Sequence, residues 1–184
     1  LVHRGQRHPA FGTVVEQLKL TFVSLHQAGV AARQISTITS VVFDALFRRT
    51  IELAIERIGP PPADLTWLAL GSDGRREAVP SSDVDSGMAW RDESSTDREE
   101  TRAYMLSIAQ QVGESLQLTG LPLDAHGVSG GSDFSCSSMS EWRRAIGHWL
   151  THPEDNRVLI ATSILLDGRP VYGPEELDPK QEFY

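Results

Sequence analysis

The chain has 184 residues, of which 40% are hydrophobic, and a formal net charge of −8, a composition typical of a globular domain. Lysine occurs only twice and the arginines are scattered, so extended contact with DNA or another nucleic acid is not expected. No apolar run approaches the ~20 residues of a membrane span, no signal peptide starts the chain, and Cys136 is the only cysteine, so a cytoplasmic protein without a membrane partner is predicted.

The N-terminal part predicts a linker followed by a helical hairpin at 11–60. Residues 1–10 have no hydrophobic periodicity and begin with leucine instead of methionine, so a longer polypeptide is expected. From Phe11 to Gly29, apolar residues recur at three- and four-residue steps, which is typical of an amphipathic helix. A second helix, closed by glycine and three prolines, carries the apolar stripe Ile35, Ile38, Val42, Leu46, Phe47, Ile51, Ala54 and Ile58.

The segment 61–130 is predicted to hold a small strand-containing core. Residues 65–70 (LTWLAL) form a short apolar run that ends at a glycine, which favours a buried strand. A second strand is predicted at 84–90 and a third at 121–128.

Three further helices are predicted, beginning near residues 96, 138 and 155. Thr96 with Glu99 and Ser138 with Glu141 have the spacing of capping boxes. The apolar stripes of the first two helices are Tyr104, Ile108, Val112 and Leu116, and Met139, Trp142, Ile146 and Trp149. The order of elements predicts an α+β fold with a C-terminal helical segment at 131–184.

Two acidic residues at the start of the second predicted strand indicate a metal site. Asp83 and Asp85 lie two residues apart, so in an extended chain their side chains project from the same face. Two carboxylates at one point repel each other unless a cation lies between them, and hard oxygen ligands favour Mg²⁺ or Mn²⁺. Such a pair is suited to phosphoryl or nucleotidyl transfer.

Gly71 and Ser72, directly after the first predicted strand, indicate a phosphate-binding turn. Glycine lets backbone N–H groups approach phosphate oxygens, and the serine hydroxyl adds a donor. Arg75 has two interpretations, a forked contact with phosphate or an ion pair with Glu77. The segment is not a P-loop, because the pattern G-x-x-x-x-G-K-S/T does not occur.

Together these residues, GSDGRREAVPSSDVD, resemble the G-S-x-G-R-x-E…S-D-x-D signature of the nucleotidyltransferase superfamily, which shares the fold of DNA polymerase beta. The segments AARQIS, WLALGSDGRRE, MSEWRRAIGHWL and ILLDGRPVYG are similar to those of the protein-PII uridylyltransferase N-terminal domain. They are also similar to nucleotidyltransferase domains that accompany CBS and cyclic-nucleotide-binding domains in bacterial signalling proteins. The resemblance implies a polymerase-beta-like core, a small mixed sheet flanked by helices.

The resemblance also implies roles for individual residues. The nucleotide-binding set would be Gly71, Ser72, Arg75, Glu77 and Ser82, and Asp83 and Asp85 would bind Mg²⁺ or Mn²⁺ as catalytic residues. Such enzymes transfer a nucleoside monophosphate from UTP or ATP to an acceptor hydroxyl, which in the uridylyltransferases is a tyrosine of a PII protein. Upstream CBS or cyclic-nucleotide-binding domains and a homodimer are further partners that it suggests.

The third carboxylate of this superfamily has two candidates. The fold usually takes it from a later strand, as a metal ligand and general base. Asp124 lies where that strand is predicted and is favoured for its geometry, whereas Asp167 matches the family segment better but falls at a helix end. Arg169 belongs to the same segment as Asp167 and has no assigned role. If no third acid reaches the site, the alternative is a catalytically inactive nucleotide-binding regulatory module.

Overall fold

The computed structural model describes residues 12–92, 97–121 and 135–184. The predicted linker at 1–10 lies outside these ranges. The helices are α1 (Gly12–Gln27), α2 (Ala32–Ile58), α3 (Gly71–Gly74), α4 (Arg98–Leu118), α5 (Met139–Thr151) and α6 (Asn156–Leu166). The strands are β1 (Leu65–Ala69), β2 (Ser86–Trp90), β3 (Cys136–Ser138) and β4 (Arg169–Tyr172). Among the helices of the described ranges, none has the length and apolar character needed to cross a membrane.

The four strands form one mixed sheet in the order β3-β2-β1-β4. Strand β1 is antiparallel to both β2 and β4, whereas β2 and β3 are parallel. The pairing of Ala69 with Ser86 places the end of β1 beside the start of β2. This small sheet flanked by helices confirms the predicted α+β class.

Helices cover both faces of the sheet, which explains why every residue of β1 is buried. Side chains of a strand alternate between its faces. Accordingly, Leu65 and Trp67 pack into the cluster that contains buried residues of α2 and α4. Leu68 packs into a second cluster with Trp142 and Leu165, which come from α5 and α6. The fold therefore has three layers, with β1 at the centre.

Helix α2 buries most of the stripe that its sequence predicts. Ile35, Phe47, Ile51 and Ala54 are buried, and Val42 and Leu46 pack against the core. The largest buried side chains in its middle are Phe43, Phe47 and Ile51, all fully inaccessible. Ile38, which the predicted stripe includes, is 42% exposed, and Ile58 is also exposed. The buried face also carries polar residues beside the phenylalanines, namely Thr39, Ser40, Asp44 and Thr50. Ile38 and Ile58 are therefore the two residues of the predicted stripe that lie outside the buried face.

The C-terminal segment contributes β4, which the sequence analysis did not predict. This strand is only four residues long and contains Pro170, which is tolerated because β4 is an edge strand. The predicted strand at 121–128 lies outside the described residues except for Leu121, which is buried in a loop. The neighbour of β2 on the side away from β1 is β3. It contains the single cysteine, Cys136, which is fully buried.

The N-terminal cap of α5 is the one that the sequence predicts, whereas that of α4 is a different residue. The capping box of Ser138 and Glu141 at the start of α5 is confirmed, with both of its reciprocal hydrogen bonds present. At the start of α4 the cap is Asp97, whose carboxylate accepts a hydrogen bond of 2.8 Å from the Glu99 N–H. The predicted cap, Thr96, lies outside the described residues, one position before this aspartate.

Candidate nucleotide-binding site

The end of β1 and the segment before β2 place a carboxylate directly against a glycine turn. The Leu70 N–H donates to the Asp85 carbonyl over 3.0 Å, which joins the two chain segments. Gly71 follows with φ of +53°, a conformation that glycine adopts without steric cost. A Cβ atom at Gly71 would lie only 2.5 Å from Asp85 Oδ2. The absence of a side chain at this position therefore makes room for the aspartate.

Backbone hydrogen bonds fix the shape of the turn after Gly71. The Gly74 N–H donates to Leu70 O over 3.0 Å, and the Glu77 N–H donates to Ser72 O over 2.8 Å. The first N–H groups of a helical turn have no partner inside it, and Leu70, the residue before the turn, provides no side-chain cap. Ser72 is half-buried, whereas Gly71, Asp73 and Gly74 are buried, so Ser72 is the partly accessible polar residue of the turn, next to the contact of Gly71 with Asp85.

The two acids of the D-x-D pair are both accessible to a ligand, to different degrees. Asp85 is half-buried and Asp83 is exposed, while Val84 between them is buried. This alternation is that of an extended chain whose two carboxylates share the outward side. Within the described ranges no three histidine, cysteine, aspartate or glutamate side chains form a metal-ligand group.

The donor set nevertheless fits a magnesium ion. Mg²⁺ in phosphate-handling sites is commonly held by one or two carboxylates together with substrate phosphates. A carboxylate as close to the turn as Asp85 would repel a phosphate bound there unless a cation separated them. The pair Asp83 and Asp85 could therefore hold Mg²⁺ with the remaining positions left to phosphate and water.

Arg75 is engaged by two carboxylates. Its Nε donates to Glu77 Oε2 over 2.8 Å, and its Nη1 donates to Asp167 Oδ2. The hydrogen bonds that Arg75 donates to Glu77 and Asp167 raise its pKa above the ordinary value. Of the two contacts considered for this arginine, the structure contains the one with Glu77 and adds Asp167.

Ser82 closes the loop that leads to the D-x-D pair. Its hydroxyl accepts a hydrogen bond of 3.0 Å from the Val79 N–H, and its own N–H donates to the Val79 carbonyl over 2.8 Å. This reciprocal contact shapes the chain just before Asp83, so the position of the first acid depends on the serine.

The candidates for a third carboxylate remain predictions. Asp124 lies outside the described residues. Asp167 is the C-cap residue directly after α6 and pairs with Arg75, and it joins no metal-ligand group with Asp83 and Asp85 in the described ranges.

Behind the turn lies a buried ionic cluster that the sequence analysis missed, apart from Arg169. The Arg169 guanidinium contacts Asp44 of α2 and Asp73 of the turn. Burial raises the pKa of the Asp73 carboxyl from 3.8 to about 6, although nearby Ser40 and Arg169 oppose the shift. The one local signal for this cluster is the four-residue spacing of Ser40 and Asp44, two polar residues beside the apolar face of α2.

The family model described as Putative nucleotidyltransferase DUF294 matches residues 16–156 of the chain, which is more than half of its length. The matched range includes most of α1, all of α2, the glycine turn and the D-x-D pair, and it ends before β4. No curated protein matches the chain.

Proposed function

The chain belongs to the DUF294 nucleotidyltransferase family, and on that premise we propose that it transfers a nucleoside monophosphate from a nucleoside triphosphate to an acceptor hydroxyl. The observation that carries the proposal is the contact between the Gly71 turn and the Asp85 carboxylate, where an added Cβ would be 2.5 Å from Oδ2. A polar turn and a D-x-D pair at adjoining ends of two antiparallel strands are suited to polyphosphate with a divalent cation.

In this proposal the turn binds the phosphates and the acids hold the metal. The leading N–H groups of the turn and the Ser72 hydroxyl would donate hydrogen bonds to phosphate oxygens. Arg75 is not assigned this role, because its guanidinium is already paired with Glu77. Asp83 and Asp85 would hold Mg²⁺, which when bound would neutralise polyphosphate charge at the reacting phosphorus. Val84, buried between them, would keep both acids on the outward side.

The reaction would proceed by one displacement at the α-phosphorus. The acceptor oxygen forms a bond to that phosphorus, the bond to the oxygen bridging to the β-phosphate breaks, and pyrophosphate leaves. The proton of the acceptor hydroxyl passes to a base, for which Asp124 is our candidate. This step depends on the position of Asp124, which lies outside the described residues.

We further propose a protein acceptor of the PII type, with UTP or ATP as donor and with CBS or cyclic-nucleotide-binding domains as regulators. This narrower proposal rests on the sequence resemblance to protein-PII uridylyltransferase in the segments around Gly71 and Asp167.

Transfer of label from the α-phosphate of UTP or ATP tests the function directly. The protein would be incubated with each nucleotide, Mg²⁺ and a PII-type protein, and the acceptor analysed for label. We expect transfer that Asp83→Asn and Asp85→Asn each reduce by about a hundredfold or more. The matched control is Asp64→Asn, an exposed aspartate paired with Arg91, which should leave transfer unchanged.

A second candidate, an inactive nucleotide-binding regulatory module, is favoured by two observations. Asp167 forms an ion pair with Arg75, and no three-ligand metal group occurs in the described ranges. This candidate predicts magnesium-dependent binding of UTP or ATP by calorimetry without label transfer to any acceptor. Transfer that Asp83→Asn abolishes would exclude it, and absence of nucleotide binding would exclude both candidates.

A further inference from the structure

Arg169 joins a strand and a helix that are far apart in the sequence. Its Nη1 donates to Asp44 Oδ2 over 2.9 Å and its Nη2 donates to Asp44 Oδ1 over 2.7 Å. This forked geometry is the strongest form of arginine–carboxylate contact. The side chains are only 17% and 5% exposed, so water screens the contact weakly. The pair fixes β4 to the middle of α2.

The same guanidinium also reaches the turn. Its Nη2 donates to the Asp73 carbonyl over 3.2 Å and lies 3.7 Å from Asp73 Oδ1. Neither carboxylate oxygen of Asp73, which is 2% exposed, has a well-formed hydrogen bond within the described ranges. Arg169 is therefore the nearest countercharge for a buried acid located two residues after Gly71.

The chain around Arg169 packs against the back of the turn as well. A Cβ atom at Gly74 would lie 2.3 Å from the Asp167 carbonyl oxygen, so backbone touches backbone there. Arg76 has φ of 58°, which residues other than glycine rarely adopt, and its Nη1 lies 3.7 Å from Asp44 Oδ2. Such a conformation persists only where the surroundings hold it.

Loss of Arg169 would leave two buried carboxylates, Asp44 and Asp73, without their shared countercharge. Among the residues that the structure describes, Asp44 and Asp73 would then have only Arg76 as a countercharge, at 3.7 Å from Asp44 and 44% exposed. Asp44 belongs to a helix of 27 residues, whereas Asp73 belongs to a turn of four. Repulsion between buried carboxylates would therefore displace the turn in preference to the helix.

We propose that Arg169 is a positioning residue, which holds the turn of Gly71 and Ser72 in place through Asp44 and Asp73. Its consequence for catalysis rests on the proposed function, because the turn is where that function places the phosphates. Lysine cannot replace the arginine, since one ammonium group cannot fork to Asp44 and reach the turn together.

Arg169→Lys tests the proposal, with Arg143→Lys as the matched control. Arg143 also forks to a carboxylate, with Nε and Nη2 at 2.8 and 2.6 Å from Glu182, but its side chain is 64% exposed. For Arg169→Lys we expect the KM for UTP or ATP to rise about tenfold or more with a smaller change in kcat. Arg143→Lys should leave both constants unchanged.

Amide hydrogen exchange without nucleotide gives a readout that does not depend on activity. The reporters are the N–H groups of Gly74, Arg75, Arg76 and Glu77, which are hydrogen-bonded within the turn. In Arg169→Lys their exchange should accelerate about tenfold or more while amides of α5 keep their rates. If the wild type transfers no label, the proposed function fails, and exchange still decides the inference.

Should Arg169→Lys not fold, Asp44→Asn removes the same fork with one fewer buried charge. It should accelerate exchange at the same four amides. Unchanged exchange at the turn in a folded Arg169→Lys or Asp44→Asn protein would overturn the proposal, as would equal acceleration in Arg143→Lys.

Discussion

Gly71 has a left-handed backbone conformation, and the Asp85 carboxylate lies where a Cβ atom at this position would be. At φ of +53° an alanine is strained by about 1–2 kcal/mol, and its Cβ would lie 2.5 Å from Asp85 Oδ2. We expect Gly71→Ala to lower the free energy of unfolding by about that amount and to displace Asp85. Chemical denaturation and titration with Mn²⁺ and a nucleoside triphosphate measure the two effects.

Gly147→Ala is the control for this substitution. Gly147 lies inside α5, and nothing is within 4 Å of an added Cβ, so alanine should stabilise the helix by up to about 1 kcal/mol. A Gly71→Ala protein with wild-type stability and wild-type nucleotide affinity would show that the close approach to Asp85 has no functional importance.

Asp73 should make stability depend on pH. Burial raises the pKa of its carboxyl from 3.8 to about 6 in the folded protein, so between these values the folded state binds more protons than the unfolded state. The stabilisation is complete below pH 3.8 and is lost as pH rises through about 6, at most about 3 kcal/mol. Asp73→Asn, which is neutral throughout, should flatten this part of the profile and raise the free energy of unfolding at pH 7.

Urea denaturation between pH 4 and pH 7.5 measures the profile. Asp64→Asn, at an exposed aspartate paired with Arg91, controls for the loss of one carboxylate. The groups facing Asp73 are Asp44 of α2, Arg169 of β4 and Arg76 after the turn. Parallel pH profiles for Asp73→Asn and the wild type would mean that folding does not raise the pKa of this carboxyl.

At the level of elements, the capping box at the start of α5 joins two parts of the fold. Ser138 is the last residue of β3, and its hydroxyl accepts from the Glu141 N–H while the Glu141 carboxylate accepts from the Ser138 N–H. Ser138→Ala should lower the free energy of unfolding by about 1 kcal/mol, measured by thermal denaturation. Ser163→Ala, an exposed serine late in α6, should change it by less than about 0.5 kcal/mol.

The elements that the sequence predicts well are those whose information is local. Helix α5 shows this, because its capping box and its apolar spacing of Trp142 and Trp149 lie within thirteen residues. Strand β4 has no such pattern, since four residues including an arginine and a proline become a strand only through pairing with β1. The D-x-D pair was likewise recognisable locally, whereas Arg169 meets Asp44 across 125 residues.

At the scale of the whole molecule, the helical pair and the sheet share one core. Phe43, Phe47 and Ile51 of α2 belong to the same buried cluster as Leu65 and Trp67 of β1. A polar contact also joins α2 to the sheet, since the Arg48 side chain donates to the Val171 carbonyl of β4 over 2.7 Å. The ionic cluster of Arg169 thus lies at a junction where hydrophobic packing already joins α2 to the sheet. We therefore expect α2 and the sheet to unfold together.

Phe47→Ala tests this shared core. The Phe47 ring is fully buried, with its centroid 6.1 Å from that of Trp67, so its loss should lower the free energy of unfolding by about 3–5 kcal/mol. Urea transitions followed by tryptophan fluorescence and by far-UV circular dichroism should coincide and shift together. Val41→Ala, on the exposed side of the same helix, should change stability by less than about 0.5 kcal/mol. Two separate transitions, with fluorescence unaffected by Phe47→Ala, would instead mean that α2 folds independently of the sheet that carries the site.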